Sequence, residues 1–230
     1  MARNDPYGSL KRTLPLLDLM HRYLLPRVSR DMAAIMKGCG IERILDVACG
    51  TGFIVCRLRK EGIRAVGLDL SAGMLFVAAR KTGPCGFVLG DGTMLPFPDS
   101  SFDGALITLA IHEVGQATRD AVWSEMLRVV RPGGLLFVMD FGKFPARPSL
   151  YSKMAAGFIL SIEKATLRFD PDHWHNSMAF QDLGGVRGWL ERNGSEVVET
   201  REYAGGNLVL AAVENGETKR DILQETRRSR

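Results

Sequence analysis

Ile44-Leu45-Asp46-Val47-Ala48-Cys49-Gly50-Thr51-Gly52, followed by Phe53-Ile54-Val55, decides how the rest of the chain is read. Four residues, Ile44 to Val47, form a short apolar run broken only by Asp46, which is the pattern of a buried strand. Gly50 and Gly52 then allow a tight turn with positive φ, and with no Cβ they let the backbone approach a ligand closely. The apolar residues from Phe53 onward resume at helical spacing. A turn that opens a helix aims unpaired N–H groups into the crevice above the strand. The stretch therefore predicts a cofactor loop at the carboxyl end of a first parallel strand.

Two acids narrow the cofactor. The dinucleotide fingerprint needs a third glycine three residues after the second, and Val55 stands there. Asp46, inside the strand, would repel a pyrophosphate and attract an ammonium or a sulfonium. Asp69 ends the apolar run Ala65-Val66-Gly67-Leu68, the predicted second strand, where a carboxylate can accept ribose hydroxyls. A cationic, adenosine-bearing cofactor satisfies both acids, which points to S-adenosylmethionine. Gly90-Asp91-Gly92-Thr93, at the end of the predicted third strand, would meet the adenine edge.

From residue 41 to 142 strand and helix patterns alternate with short connections, predicting an α/β fold with a parallel sheet wound on both faces. Strands are expected at 43–47, 64–69, 86–90, 104–109 and 134–140, and helices near 52–61, 72–81 and 118–130. Pro132-Gly133-Gly134 reads as a turn into the fifth strand. Ahead of this, leucines and other apolar residues between Thr13 and Met36 recur near helical spacing, with Pro15 and Pro26 expected to divide them into two pieces. Beyond the fifth strand, 149–164 reads as a helix, 166–182 as irregular and aromatic, and 182–192 as a helix. Strands are expected at 195–201 and 207–213.

Asp46 to Gly52, Gly67-Leu68-Asp69-Leu70-Ser71 with Met74-Leu75, Gly90-Asp91-Gly92 ahead of Leu95-Pro96-Phe97, and Leu127-Arg128-Val129-Val130-Arg131-Pro132-Gly133-Gly134 together resemble class I S-adenosylmethionine-dependent methyltransferases. Within that class the chain is most similar to the ubiquinone/menaquinone-biosynthesis C-methyltransferase family, over roughly residues 40–214. The resemblance implies a doubly wound, Rossmann-like sheet of seven strands in the order 3-2-1-4-5-7-6, strand 7 antiparallel. It implies an N-terminal helical cap or lid at 1–37 and a methyltransferase domain at 38–214. Residues 143–182 would form an acceptor-pocket insertion, ahead of a charged tail at 215–230. Cofactor contacts are expected from Asp46, Ala48, Cys49, Gly50, Thr51, Gly52, Asp69, Leu70, Met74, Asp91, Gly92, Thr93 and Leu109, with S-adenosylhomocysteine as product. Tyr7, His21, His112 and Trp174 are the candidate pocket residues. His112, in Ile111-His112-Glu113 after the fourth strand, is the candidate general base because imidazole titrates near neutral pH. Glu113 is expected to be solvated or structural. His173-Trp174-His175 with Asp170 and Asp172 offers metal-ligand types, but the sequence supplies no third and fourth ligand at sensible spacing. No metal is expected.

Composition bounds the partners. The 230 residues fit one domain with an insertion, and the net charge of +4 is partly carried by Arg227, Arg228 and Arg230. That is weak support for nucleic acid, so a small-molecule acceptor is expected. The four cysteines form no C-x-x-C pair, favouring reduced thiols in the cytoplasm. No apolar stretch reaches the ~18–20 residues of a membrane span. The apolar insertion favours a hydrophobic or amphiphilic acceptor, such as a quinone precursor methylated at carbon, and leaves room for peripheral membrane contact and a homodimer. Other readings stay open at this level: an N- or O-methyltransferase of a lipid amine or another small metabolite, or a non-catalytic cofactor- or RNA-binding module. A nicotinamide dehydrogenase is disfavoured by Val55 and Asp46.

Overall fold

The computed structural model describes residues 25–82, 86–166 and 171–216. A seven-stranded sheet carries the fold. Its strands are β1 (Arg43–Val47), β2 (Arg64–Asp69), β3 (Phe87–Leu89), β4 (Phe102–Thr108), β5 (Val130–Phe141), β6 (Val197–Tyr203) and β7 (Leu208–Glu214). They lie in the order β3-β2-β1-β4-β5-β7-β6. β3, β2, β1, β4 and β5 pair in parallel, whereas β7 runs antiparallel to both β5 and β6. This is the topology that the family resemblance implies. Its central strands are buried on both faces, which is why Ile44-Leu45, Ala105-Leu106-Ile107 and Leu135 to Met139 read as unbroken apolar runs.

Helices α1 (Leu25–Gly38), α2 (Phe53–Lys60), α3 (Ala72–Thr82), α4 (Gln116–Val129), α5 (Leu150–Thr166), α6 (Pro171–Asp182) and α7 (Gly185–Arg192) complete the described chain. Pro26 lies in the first described turn of α1, a position that proline tolerates, and Val28, Met32, Ala33 and Met36 behind it join the core. The expected irregular segment at 166–182 is corrected, because Pro171–Asp182 is helical. Its buried stripe is His173, Ser177 and Phe180, at spacings of four and three. Two of those three residues are polar, so a hydrophobic period is not visible in the sequence.

β5 begins earlier than predicted. Phe102 pairs with Val130, and the next pairing joins Gly104 to Leu135, so Arg131–Gly134 bulge out of the ladder. Gly133 has φ 71° there, and its N–H donates to the Asn215 carbonyl at 2.7 Å. Asn215 also donates from Nδ2 to the carbonyls of Leu127 and Val130, pinning the end of β7 to the α4–β5 junction.

Because β1 to β5 are parallel, their carboxyl ends share one edge of the sheet. Ala48–Gly52, Leu70, Gly90–Thr93, Leu109–Glu113 and Gly142 all lie along it. A depression of about 460 Å³ lined by Arg43, Arg59 and Arg64 lies at the opposite, amino-terminal ends of β1 and β2.

Candidate active site

The turn after β1 is built by backbone conformations that cost energy for most residues. Gly50 and Gly52 have φ of 52° and 69°, and Ala48 has φ 57° without the freedom of glycine. Leu109, at the end of neighbouring β4, has φ 53°. Two strained non-glycine residues thus flank one point on the sheet edge. The loop is also closely walled: a Cβ on Gly52 would lie 2.7 Å from the Phe87 ring, and one on Gly67 would lie 2.7 Å from Cys49 Sγ. Burial and the nearby Asp46 and Asp69 push the Cys49 thiol up, so Cys49 packs as a neutral side chain.

Asp46 is 2% exposed and its Oδ1 has no hydrogen-bond partner. Burial, reinforced by the charge of Asp69, holds its carboxyl well above the ordinary carboxylate range. A buried carboxylate so placed is stabilised by a cation. Thr51 Oγ1, in the same turn, is likewise buried without a partner. These orphaned oxygens beside a glycine turn fit the ammonium end of S-adenosylmethionine and disfavour a phosphate.

Asp69 has a second role that the sequence did not suggest. Its Oδ2 accepts the Gly50 N–H at 2.7 Å and its Oδ1 accepts the Ser71 N–H at 2.8 Å. The carboxylate therefore latches the β1 turn to the β2 end. Leu70 beside it is 49% exposed, an apolar surface available to a flat ring, and Met74 is half-buried one turn into α3. Gly90 donates its N–H to the Asp69 carbonyl, which brings the third turn alongside. There Asp91 Oδ1 accepts both the N–H and the hydroxyl of Thr93, at 2.9 and 2.7 Å. A Cβ on Gly92 would sit 3.1 Å from Val47.

The fourth turn holds His112 in a 3₁₀ segment, Ile111–Glu113. Its Nδ1 lies 2.6 Å from Asp140 Oδ1, and both side chains are buried. Asp140 also accepts the N–H groups of Ile111, His112 and Phe141. A carboxylate so engaged fixes the imidazole's orientation and leaves Nε2, itself buried, on the side of the ring away from Asp140. Arg119 of α4, 1% exposed, clamps the turn from behind. Its Nε donates to the Ile111 carbonyl at 2.9 Å and its Nη2 to the Asn176 carbonyl at 2.7 Å. Asn176 of α6 donates in return to the Glu113 carbonyl at 2.9 Å. Burial pulls the Arg119 guanidinium down, with Asp140 opposing.

α6 thereby delivers His173 to His112, ring centroids 5.5 Å apart and nearly perpendicular. Glu113 is half-buried, and one ligand atom from each of His112, Glu113 and His173 lies within 4.8 Å of the others. His175 and Asp172 are exposed and belong to no such group among the described residues, and Trp174 is half-buried. Tyr7 and His21 lie outside the described residues. Asp140, Arg119, Asn176 and the His112–His173 pairing were not read from the sequence. Asp140 follows the apolar run of β5 and was the one of them with a visible signal.

The methyltransferase-domain family matches residues 45–138, from β1 into β5. A demethylmenaquinone methyltransferase of Beutenbergia cavernae is 37% identical over 175 residues, covering 74% of this chain and 72% of that protein. Another, from Renibacterium salmoninarum, is 42% identical over 175 residues, covering 74% and 73%. Among solved structures, a Methanococcus maripaludis protein assigned as an S-adenosyl-L-methionine-dependent methyltransferase superposes with a TM-score of 0.56 at 17% identity. That match covers 95% of this chain and 99% of the other.

Proposed function

Because the chain belongs to the S-adenosylmethionine-dependent methyltransferases, in the family that includes the demethylmenaquinone methyltransferases, we propose that it methylates a ring carbon of an amphiphilic, hydroxylated quinone precursor. The observation that carries the reading is the buried Asp140–His112 pair at the end of β4, beside the cofactor turn. S-adenosylmethionine, when bound, supplies an activated methyl group. Asp46, Thr51 and the backbone of Ala48, Cys49, Gly50 and Gly52 would hold its amino-acid end. Asp69 would hold the ribose, with Leu70, Met74, Asp91, Gly92 and Thr93 around the adenine and Leu109 beside the reacting end. The chain's own share is orientation, exclusion of water and movement of one proton. Loss of the acceptor hydroxyl proton enriches the ortho carbon, and His112 Nε2, with Nδ1 held by Asp140, takes that proton; after the methyl joins the ring, the hydrogen of that carbon moves to the oxygen, restoring the aromatic hydroxyl, so one proton is released in all.

The described part of the insertion, including Trp174, would wall the pocket. Asn207 Nδ2 donates to the Ser152 carbonyl at 2.9 Å, docking α5 against the β6–β7 turn. The outer stripe of α5 leaves Leu150, Tyr151, Met154 and Phe158 exposed, with exposed Lys153 on the same helix and exposed Lys143 and Arg147 in the segment that leads into it. An apolar stripe bordered by cations suits an anionic bilayer surface, and we assign it the peripheral contact through which a lipidic acceptor is reached. A homodimer through the same stripe is the competing occupant. No described helix is long and apolar enough to cross a membrane. The described cysteines Cys39, Cys49 and Cys56 are free, in keeping with a cytoplasmic setting.

The test is methyl-labelled cofactor with a demethylmenaquinol, followed by organic extraction. Label in the quinol ring that vanishes in Asp69→Ala supports the reading. Label confined to aqueous amines or hydroxyls overturns it in favour of an N- or O-methyltransferase.

A further inference from the structure

The cluster of His112, Glu113 and His173 is more than the proposed proton transfer uses. One imidazole suffices as a base, yet the turn also carries the Glu113 carboxylate, and α6 brings a second imidazole to the same place. We infer that these three side chains form a binding site for a divalent transition cation of the zinc class. Three observations carry this. The donor set of two imidazole nitrogens and one carboxylate oxygen is the one that holds zinc with an open coordination position. The three ligand atoms already lie within 4.8 Å of one another, so closing on an ion needs side-chain adjustment and no movement of the fold. Asp140, 2.6 Å from His112 Nδ1, presents the imidazole's far nitrogen to the cluster, in the carboxylate–histidine arrangement that orients metal ligands.

The scaffold is rigid where the site needs it. Arg119 spans from the Ile111 carbonyl on the turn to the Asn176 carbonyl on α6, and Asn176 returns to the Glu113 carbonyl. These bonds tie the turn that bears two ligands to the helix that bears the third. Packing of the Arg119 guanidinium 5.0 Å from the Phe180 ring centroid fixes it further.

This inference deepens the proposed function and rests on it for its consequence. The His112 nitrogen that would take the acceptor proton is the one a cation engages, so occupancy and turnover exclude each other. The ion acts as a reversible inhibitor. The site itself stands without that reading.

The experiment is a Co²⁺ titration of chelator-treated, full-length protein, followed by visible absorption and metal analysis. One equivalent of Co²⁺ with a ligand-field band, displaced by Zn²⁺, is expected. His173→Ala should lose the band while keeping its thermal shift with S-adenosylhomocysteine, which shows that it folds. Asp140→Asn should weaken binding about 10–100-fold. Absence of the band in the wild-type protein, or its survival in His173→Ala, overturns the site. Methylation of a demethylmenaquinol by chelator-treated protein, inhibited by one equivalent of Zn²⁺, supports the consequence. If Co²⁺ binds and no quinol is methylated, the site stands and the functional reading falls. If quinol is methylated and Co²⁺ does not bind, the reverse holds.

Discussion

Replacing Asp46 by Asn should move ligand affinity and unliganded stability in opposite directions. The carboxylate is 2% exposed, with Oδ1 lacking a partner and Asp69 repelling its charge. Its pKa in the folded protein is raised above the ordinary 3.8, so the native state keeps a proton that the unfolded chain has released. Between those two values the unliganded protein loses stability as pH rises, because the native state binds more protons than the unfolded one. Asn is nearly isosteric and uncharged. It removes that slope and makes the unliganded protein at neutral pH at least as stable as the wild type.

Cofactor binding should suffer, because truncating one partner of a buried charge pair costs about 2–5 kcal/mol. The lower bound is a ~30-fold rise in Kd. At 100 Kd the wild-type protein gains ~2.7 kcal/mol from ligand, and for this chain length that is about 5–11 °C in melting temperature. At the same concentration a 30-fold weaker Asp46→Asn protein would shift by about 2–3 °C. Thermal melts with and without S-adenosylhomocysteine, across pH 5–8, check both signs. An Asp46→Asn protein that melts lower than wild type without ligand, or that keeps the full shift, refutes the argument that this acid is held for a cation.

Asp140→Asn and His112→Gln should each lower turnover about 10²–10⁴-fold while keeping the cofactor-induced thermal shift, since neither touches the β1 turn; retained turnover sinks the base assignment. Arg119→Met leaves two buried carbonyls without their donor and should cost about 1–3 kcal/mol for each in urea unfolding. Gly67→Ala should destabilise by about 1–3 kcal/mol, because its methyl meets Cys49 Sγ. Adding Cys49→Ala should recover part of that loss, and the recovery is read as a coupling energy in a double-mutant cycle. Met154→Glu with Phe158→Glu should abolish flotation with anionic vesicles and leave the melting temperature within a degree or two, because both side chains face solvent.

What the sequence determined was whatever depends on neighbours in the chain. The apolar runs at 43–47 and 64–69, the glycine turn at 50–52 and the acids Asp46 and Asp69 each signal through local spacing, and parallel winding with right-handed crossovers leaves little freedom in how they assemble. The loops to which the cofactor contacts are assigned all come to one sheet edge, and each could be named in advance for that reason. The candidate base was legible only as a histidine of suitable type after β4. Its buried partner, Asp140, stands 28 residues away in β5, and nothing in the sequence states which side of that strand the acid faces. Tertiary structure alone decided the rest. α6 buries His173 and Ser177, so it carried no apolar period. Arg119 carries no signal in the sequence, and only packing against Phe180 and the turn carbonyls explains its burial. Groups that meet across three elements have no common spacing in the chain, and their chemistry exists only once burial has removed the water between them.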